Sequence, residues 1–219
     1  MSTKPHALVF GASGISGWAL LKEALGCPAP TTFEYVTAVT NRPLITSNTQ
    51  CVVGLTGSVD SIVSALNTIE TVSPVFLFVY LDPGKDNKDL KKANTGPIRT
   101  AVEATQNAAS NVKSSILQLG GKAYGLECPN AVEVIPPPNE SYPRVSNPIA
   151  DDIFYYSQYD VLETLSKGSS WTFTGIRSGN ECHQACIVKS IAMEQGFLIP
   201  VLSTGIAMST STYSKILRL

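Results

Sequence analysis

Neither sign of charge is in excess in this chain: 16 Lys and Arg stand against 17 Asp and Glu in 219 residues, a formal net charge of −1. That balance excludes both a strongly basic nucleic-acid surface and a self-repelling, disordered chain. Long apolar runs are also missing. The longest, "PVFLFVYL" at 74–81, falls far short of the ~20 residues that a membrane-spanning helix takes. The opening "MSTKPHALVF" lacks the apolar region of a secretory signal, and the five cysteines (Cys27, Cys51, Cys128, Cys182, Cys186) are an odd number, so a reducing cytoplasm fits best. Outside a secretory route the sequon Asn139-Glu140-Ser141 carries little weight. The expected partner is a small molecule, with neither nucleic acid nor membrane involved and with room for a homodimer.

What is present is a core-forming composition, 43% hydrophobic and 15% charged, in a length that suits one α/β domain. Strand-like and helix-like segments alternate: "HALVF", then "SGWALLKEAL", "FEYVTAVT", "SVDSIVSALNTI" and "PVFLFVYL". This is the pattern of a parallel sheet wound by helices. It continues with a helix at "NTGPIRTAVEATQNAAS", a strand at "SSILQL", a helix from about 152 to 167 and a strand at "SWTFTGIR". Between them lies a proline-rich stretch, 129–148, of the length expected for a lid, a binding loop or a plain surface excursion.

"GASGISG" places Gly11, Gly14 and Gly17 at three-residue intervals, after an apolar run and ahead of a helix. In a dinucleotide fold the first glycine makes the tight turn, the second admits the pyrophosphate, and the third lets helix and strand pack closely. The G-x-x-G-x-x-G spacing resembles the turn of the short-chain dehydrogenase/reductase superfamily in its extended and atypical branches. Gly11, Ser13, Gly14, Ile15 and Gly17 are the expected cofactor-binding residues, in a doubly wound Rossmann-type sheet.

An acid at the end of the second strand would accept hydrogen bonds from the adenosine ribose of NAD. None is there. The strand ends "VTAVTNRPL", with Asn41 and Arg42 where a guanidinium could pair bidentately with a 2′-phosphate, so the expected cofactor is NADP.

The Tyr and Lys four residues apart that serve classical short-chain reductases are also absent. In "DDIFYYSQYDVLETL" the residue four beyond Tyr155 is Tyr159, and four beyond Tyr156 is Asp160. A lysine occurs instead in "LQLGGKAYG", where Lys122 follows a buried strand at the carboxyl end of the sheet, the side on which open α/β sheets bind ligands.

Taken together, "GASGISG", "TNRP", "LQLGGKAYG", "IFYYSQYDVL" and "WTFTGIR" resemble the atypical reductases typified by progesterone 5-beta-reductase and iridoid synthase, and especially their fungal relatives. The resemblance runs from about Leu8 to Arg177. It implies Lys122 as the catalytic lysine and Tyr155 as the phenol, with Tyr156 the alternative in an adjacent pair. It also implies reduction of an activated double bond: hydride passes from the nicotinamide to the β-carbon of an enone while the phenol stabilises the enolate oxygen. Adenine contacts from Leu55 and Thr56 belong to the same inference.

Some family positions differ: Leu119 stands where Thr is usual, Ala123 where His is usual, and Ser178 where Pro follows the arginine. The expected division is a dinucleotide-binding domain at 1–180 and a divergent, shortened C-terminal segment at 181–219. Cys182, His183 and Cys186 in that segment lack a fourth ligand at zinc-finger spacing, so no metal site is expected. The leading expectation is a reductase of small apolar enones or carbonyl compounds in fungal secondary metabolism. A carbonyl reductase or epimerase on the same fold, and a non-catalytic NADP-binding regulator, are the alternatives.

Overall fold

The computed structural model describes residues 6–26, 33, 35–44, 49–54, 56–66, 74–84, 86–109, 111–135, 138 and 141–178. The elements run β1 (His6–Phe10), α1 (Ile15–Gly26), β2 (Tyr35–Thr40), β3 (Thr49–Val53), α2 (Val59–Leu66), β4 (Val75–Leu77), α3 (Asn87–Ala108), β5 (Ser114–Gly120), a 3-10 turn (Gly121–Tyr124), α4 (Ile149–Asp152), α5 (Phe154–Ser166) and β6 (Thr172–Ser178). Six parallel strands pair in the order β3-β2-β1-β4-β5-β6. This is a doubly wound α/β Rossmann sheet in a single domain.

The sheet explains why β1 and β4, the strands at its centre, read as apolar runs. Helices cover both faces, so neither parity of side chain can face water. In β1, Leu8 and Phe10 enter one core with Ile62 and Leu66 of α2, Ile98 and Val102 of α3, and Val161 and Leu162 of α5. Ala7 and Val9 point the other way, towards Leu20, Leu21 and Ala24 of α1. The period of two continues in β4, with Val75 and Leu77 on the first face and Phe76 on the second. Phe10, Phe76 and Phe154 are fully buried, each stabilising the fold by about 1.5–3 kcal/mol relative to exposure.

Two elements differ from the sequence expectation. β3 was not expected, because five residues of "TQCVV" carry neither a long apolar run nor a clear alternation. α3 begins seven residues before the expected Asn94. Asn-Thr-Gly-Pro reads as a helix start, but Pro97 sits inside the helix, and the start is at Asp86, whose side chain accepts from the Asp89 amide at 2.9 Å.

Asn94 has a different task from capping. It is fully buried; its Oδ1 accepts from the Leu81 amide at 2.8 Å, and its Nδ2 donates to the carbonyls of Leu81 at 2.7 Å and Leu90 at 2.8 Å. The amide thereby pairs both main-chain groups of Leu81, where β4 has ended. Gln158 of α5 donates in turn to the Asn94 carbonyl at 2.9 Å. Asn94→Ala strands these groups and is expected to lower the unfolding free energy by about 2–4 kcal/mol, read from urea denaturation. A change below about 0.5 kcal/mol would show that water replaces the amide there.

Candidate functional site

The carboxyl ends of β1, β4 and β5 open onto a cavity of about 560 Å³. Its lining comes from the first turn of α1 (Gly14, Ile15, Ser16, Gly17), the β4 exit (Phe78, Val79, Tyr80), Leu90 of α3, Gln118 and Gly120 of β5, the turn residues Gly121 and Lys122, Glu127, and Phe154 and Tyr155 of α5.

The glycine turn has the close contacts that a dinucleotide cradle needs. Gly11 adopts φ 79° and donates to the Val39 carbonyl at 2.9 Å. A Cβ there would collide with the Phe78 carbonyl, and a Cβ on Gly17 would collide with the carbonyl oxygen of Gly11. Backbone therefore meets backbone at both places, and α1 starts directly over the strand ends. Gly14 and Ser13 are exposed; the Gly14 amide donates to the Gly11 carbonyl at 2.9 Å, while the amides of a helix's first turn have no partners within the helix. A pyrophosphate suits that position on charge and on hydrogen bonding. Ile15 is 70% exposed, an apolar side chain at the cavity mouth.

Tyr155 and Tyr156 separate by about 100° on α5. Tyr155 lines the cavity, its ring 4.2 Å from that of Phe154, and its hydroxyl lies over Gly120: a Cβ on that glycine would come within 2.7 Å of it. Tyr156 turns away and is buried. Its hydroxyl donates to the Ala123 carbonyl at 2.8 Å and accepts from the Val145 amide at 2.9 Å, which ties the loop before α4 to the turn after β5. Arg144 lies 5.0 Å over the Tyr156 ring and pairs with Asp160, and the hydrogen bond to that carboxylate raises the pKa of the guanidinium. Lys122 lines the cavity with Tyr155, its ammonium 2.7 Å from Oε2 of Glu127.

Asn41 and Arg42, at the exit of the second strand, do not line this cavity. Both are exposed; Oδ1 of Asn41 accepts from the amide of Thr56 at 3.2 Å and from its hydroxyl at 3.3 Å. Leu55 lies outside the described residues, as do Cys27, Asn139 and the whole 181–219 segment with Cys182, His183 and Cys186. Among the described residues no helix is long and apolar enough to cross a membrane. Tyr80, Leu90, Gln118, Glu127 and Phe154 were not anticipated at the site. Gln118 alone left a signal, a polar residue between the apolar Leu117 and Leu119 of β5; the others arrive through turns and packing.

A parallel sheet in this order, with a glycine turn opening α1 beneath a tyrosine and a lysine, defines a Rossmann fold of the short-chain dehydrogenase/reductase type. The chain belongs to the family of the PRISE-like Rossmann-fold domain, which matches residues 7–180. It is related to fungal short chain dehydrogenases. It is 34% identical over 191 residues to the short chain dehydrogenase ausT of Aspergillus calidoustus, covering 78% of this chain and 46% of the relative. The chain spans about half the length of the curated relatives it matches. Among solved structures, a short-chain dehydrogenase/reductase superfamily protein from Agrobacterium tumefaciens with bound NAD superposes with a TM-score of 0.54 at 19% identity, over 78% of this chain and 48% of that one. The Bordetella bronchiseptica enzyme WbmH in complex with NAD+ gives 0.60 at 16% identity, over 81% and 57%.

The expectation of NADP is corrected by these structures, which carry NAD on the same fold. The physical reason lies at Asn41 and Arg42. A missing acid does not exclude NAD, because the Asn41 amide oxygen is an acceptor as well, already used by Thr56. The Arg42 side chain is exposed, with no partner among the described residues to aim its planar fork at a 2′-phosphate.

Proposed function

We propose that the protein is an NAD-dependent oxidoreductase that reduces a small, apolar enone or carbonyl compound in fungal secondary metabolism. One observation carries this reading: the Tyr155 hydroxyl, held over Gly120, shares a single cavity with Lys122 and the glycine turn. Likeness to fungal short chain dehydrogenases supports it.

Gly14, Ser16 and Gly17 would hold the pyrophosphate at the start of α1. Bound there, NADH supplies a hydride. The remaining work falls to the chain. Tyr155 donates a hydrogen bond, and then its proton, to the substrate oxygen on which negative charge develops. The Lys122 ammonium in the same recess, one of its three N–H groups turned to Glu127, donates a further hydrogen bond to that oxygen, the kind of preorganised term that often dominates catalysis. Phe154 and, 6.0 Å from it, the exposed Tyr80 give the cavity an aromatic wall for an apolar substrate.

The test is fluorescence titration of NADH into the purified chain, then addition of 2-cyclohexenone or cyclohexanone. Binding followed by NADH consumption with the enone is expected. Consumption with cyclohexanone alone moves the assignment to carbonyl reduction. Binding with no consumption by any enone or ketone of a broad panel contradicts the oxidoreductase reading for this chain.

A further inference from the structure

Lys122 does not meet the cavity alone, and the arrangement of its partner is built into the backbone. The turn after β5 ends at Gly125, which adopts φ 80°. The Gly125 amide donates to the Lys122 carbonyl at 2.9 Å, and the Cys128 amide to the Gly125 carbonyl at 2.9 Å. Two successive turns thus return residue 127 to residue 122, while Val132 and Val145 of the following loop pack against Gly125. The Lys122 side chain is 18% exposed and that of Glu127 60%, so the carboxylate is the more solvated partner of the pair.

These two are the only charged side chains that line the cavity among the described residues. The rest of its wall is backbone, Ser16, Gln118 and an apolar and aromatic set that includes Ile15, Leu90, Tyr80, Phe154 and Tyr155. An ammonium by itself in such a recess would draw carboxylate-bearing ligands. With Glu127 at 2.7 Å, the pair is neutral as a unit, and a second carboxylate that approaches Lys122 meets a like charge at close range.

We propose that Glu127 is a specificity-determining residue: it masks Lys122 and makes the cavity select uncharged apolar substrates over carboxylate-bearing ones of the same shape. The inference rests on reading Lys122 and Tyr155 as the reacting end of the cavity, and it assigns to Glu127 the rejection of carboxylate-bearing substrates, for which that reading names no residue.

Cinnamamide and cinnamate, a neutral and an anionic probe of nearly one shape, are titrated calorimetrically into the NAD-loaded chain and into the chain alone. The wild type is expected to favour cinnamamide. Glu127→Gln is expected to raise cinnamate affinity about threefold to tenfold at low ionic strength, a range set by the exposure of the carboxylate, and to leave cinnamamide within about twofold. Glu127→Ala provides a second variant, and adding Lys122→Met to Glu127→Gln should cancel the gain. An unchanged ratio of the two affinities overturns the inference, and so does failure of both probes to bind. A merely structural ion pair would weaken both probes together. Failure of NAD to bind, with charge selection intact in the chain alone, counts against the proposed function and not against this one.

Discussion

Gly11→Ala is expected to cost about 2–5 kcal/mol of folding free energy, from about 1–2 for a left-handed non-glycine residue plus about 1–3 for the forced contact. The obstacle is main chain. Gly11 holds φ 79°, and the added methyl would enter the Phe78 carbonyl. Retreat is blocked on both sides, because the Phe78 amide donates to the Phe10 carbonyl at 3.0 Å and Gly11 itself donates to Val39 at 2.9 Å. Relief therefore means parting β1 from β4 or from β2 at the centre of the sheet. Against a total stability of about 5–15 kcal/mol, a loss of this size leaves many chains partly unfolded at 37 °C. Urea denaturation reads the loss directly, and NADH titration of the folded fraction should show binding weakened by more than about tenfold, since the first turn of α1 is displaced with Gly11. Gly14→Ala is the control. Its Cβ would meet only the Gly11 carbonyl at 3.3 Å, so its stability should stay within about 1 kcal/mol of wild type. Equal midpoints for Gly11→Ala and the wild type would show that the strand ends can part here at no cost.

How far the sequence carries can be judged at particular residues. "HALVF" was legible as a strand because a parallel sheet covered on both faces asks for apolar residues at both parities, which leaves an apolar run, and "SSILQL" kept enough of that character in Ile116, Leu117 and Leu119 to be read the same way. β3 left no such trace: it is a short strand at the edge of the sheet. The start of α3 was hidden by Pro97, since a proline near Asn and Thr signals a beginning in sequence, and only the buried Asn94 contacts show that the helix passes through. The glycine turn was legible as a turn, since Gly11 and Gly17 stand where backbone meets backbone. The cofactor preference was not, because it depends on how Asn41 and Arg42 are held, and residue identity does not report that. Glu127 is the clearest case of a site residue beyond reach: two turns and a left-handed glycine bring it to Lys122, and none of them has a periodicity to read.

For the reaction itself, exchanging the two neighbouring tyrosines for phenylalanine should give opposite results. Tyr155→Phe removes the hydroxyl that shares the cavity with Lys122; it is expected to lower kcat by about 10²- to 10⁴-fold, the usual worth of a positioned acid, and to leave NADH affinity and stability nearly unchanged. Tyr156→Phe removes a hydroxyl that never reaches the cavity but bridges Ala123 and Val145. Its loss strands a carbonyl and an amide, so the expected result is about 1–3 kcal/mol less stability with kcat per folded molecule within a few fold of wild type. Gly120→Ala tests the geometry without removing any polar group. Its methyl would come within 2.7 Å of the Tyr155 hydroxyl, so the phenol must shift, and a displacement near 1 Å can cost about 10²-fold in rate. Phe154 packs against the ring at 4.2 Å and blocks its retreat on that side. Gly120→Ala should therefore resemble Tyr155→Phe in kcat while keeping the hydroxyl, and Gly120→Ala combined with Tyr155→Phe should be little slower than either alone. Full additivity of the two would separate Gly120 from the phenol, and a larger fall in kcat for Tyr156→Phe than for Tyr155→Phe would move the reacting hydroxyl one residue along the helix.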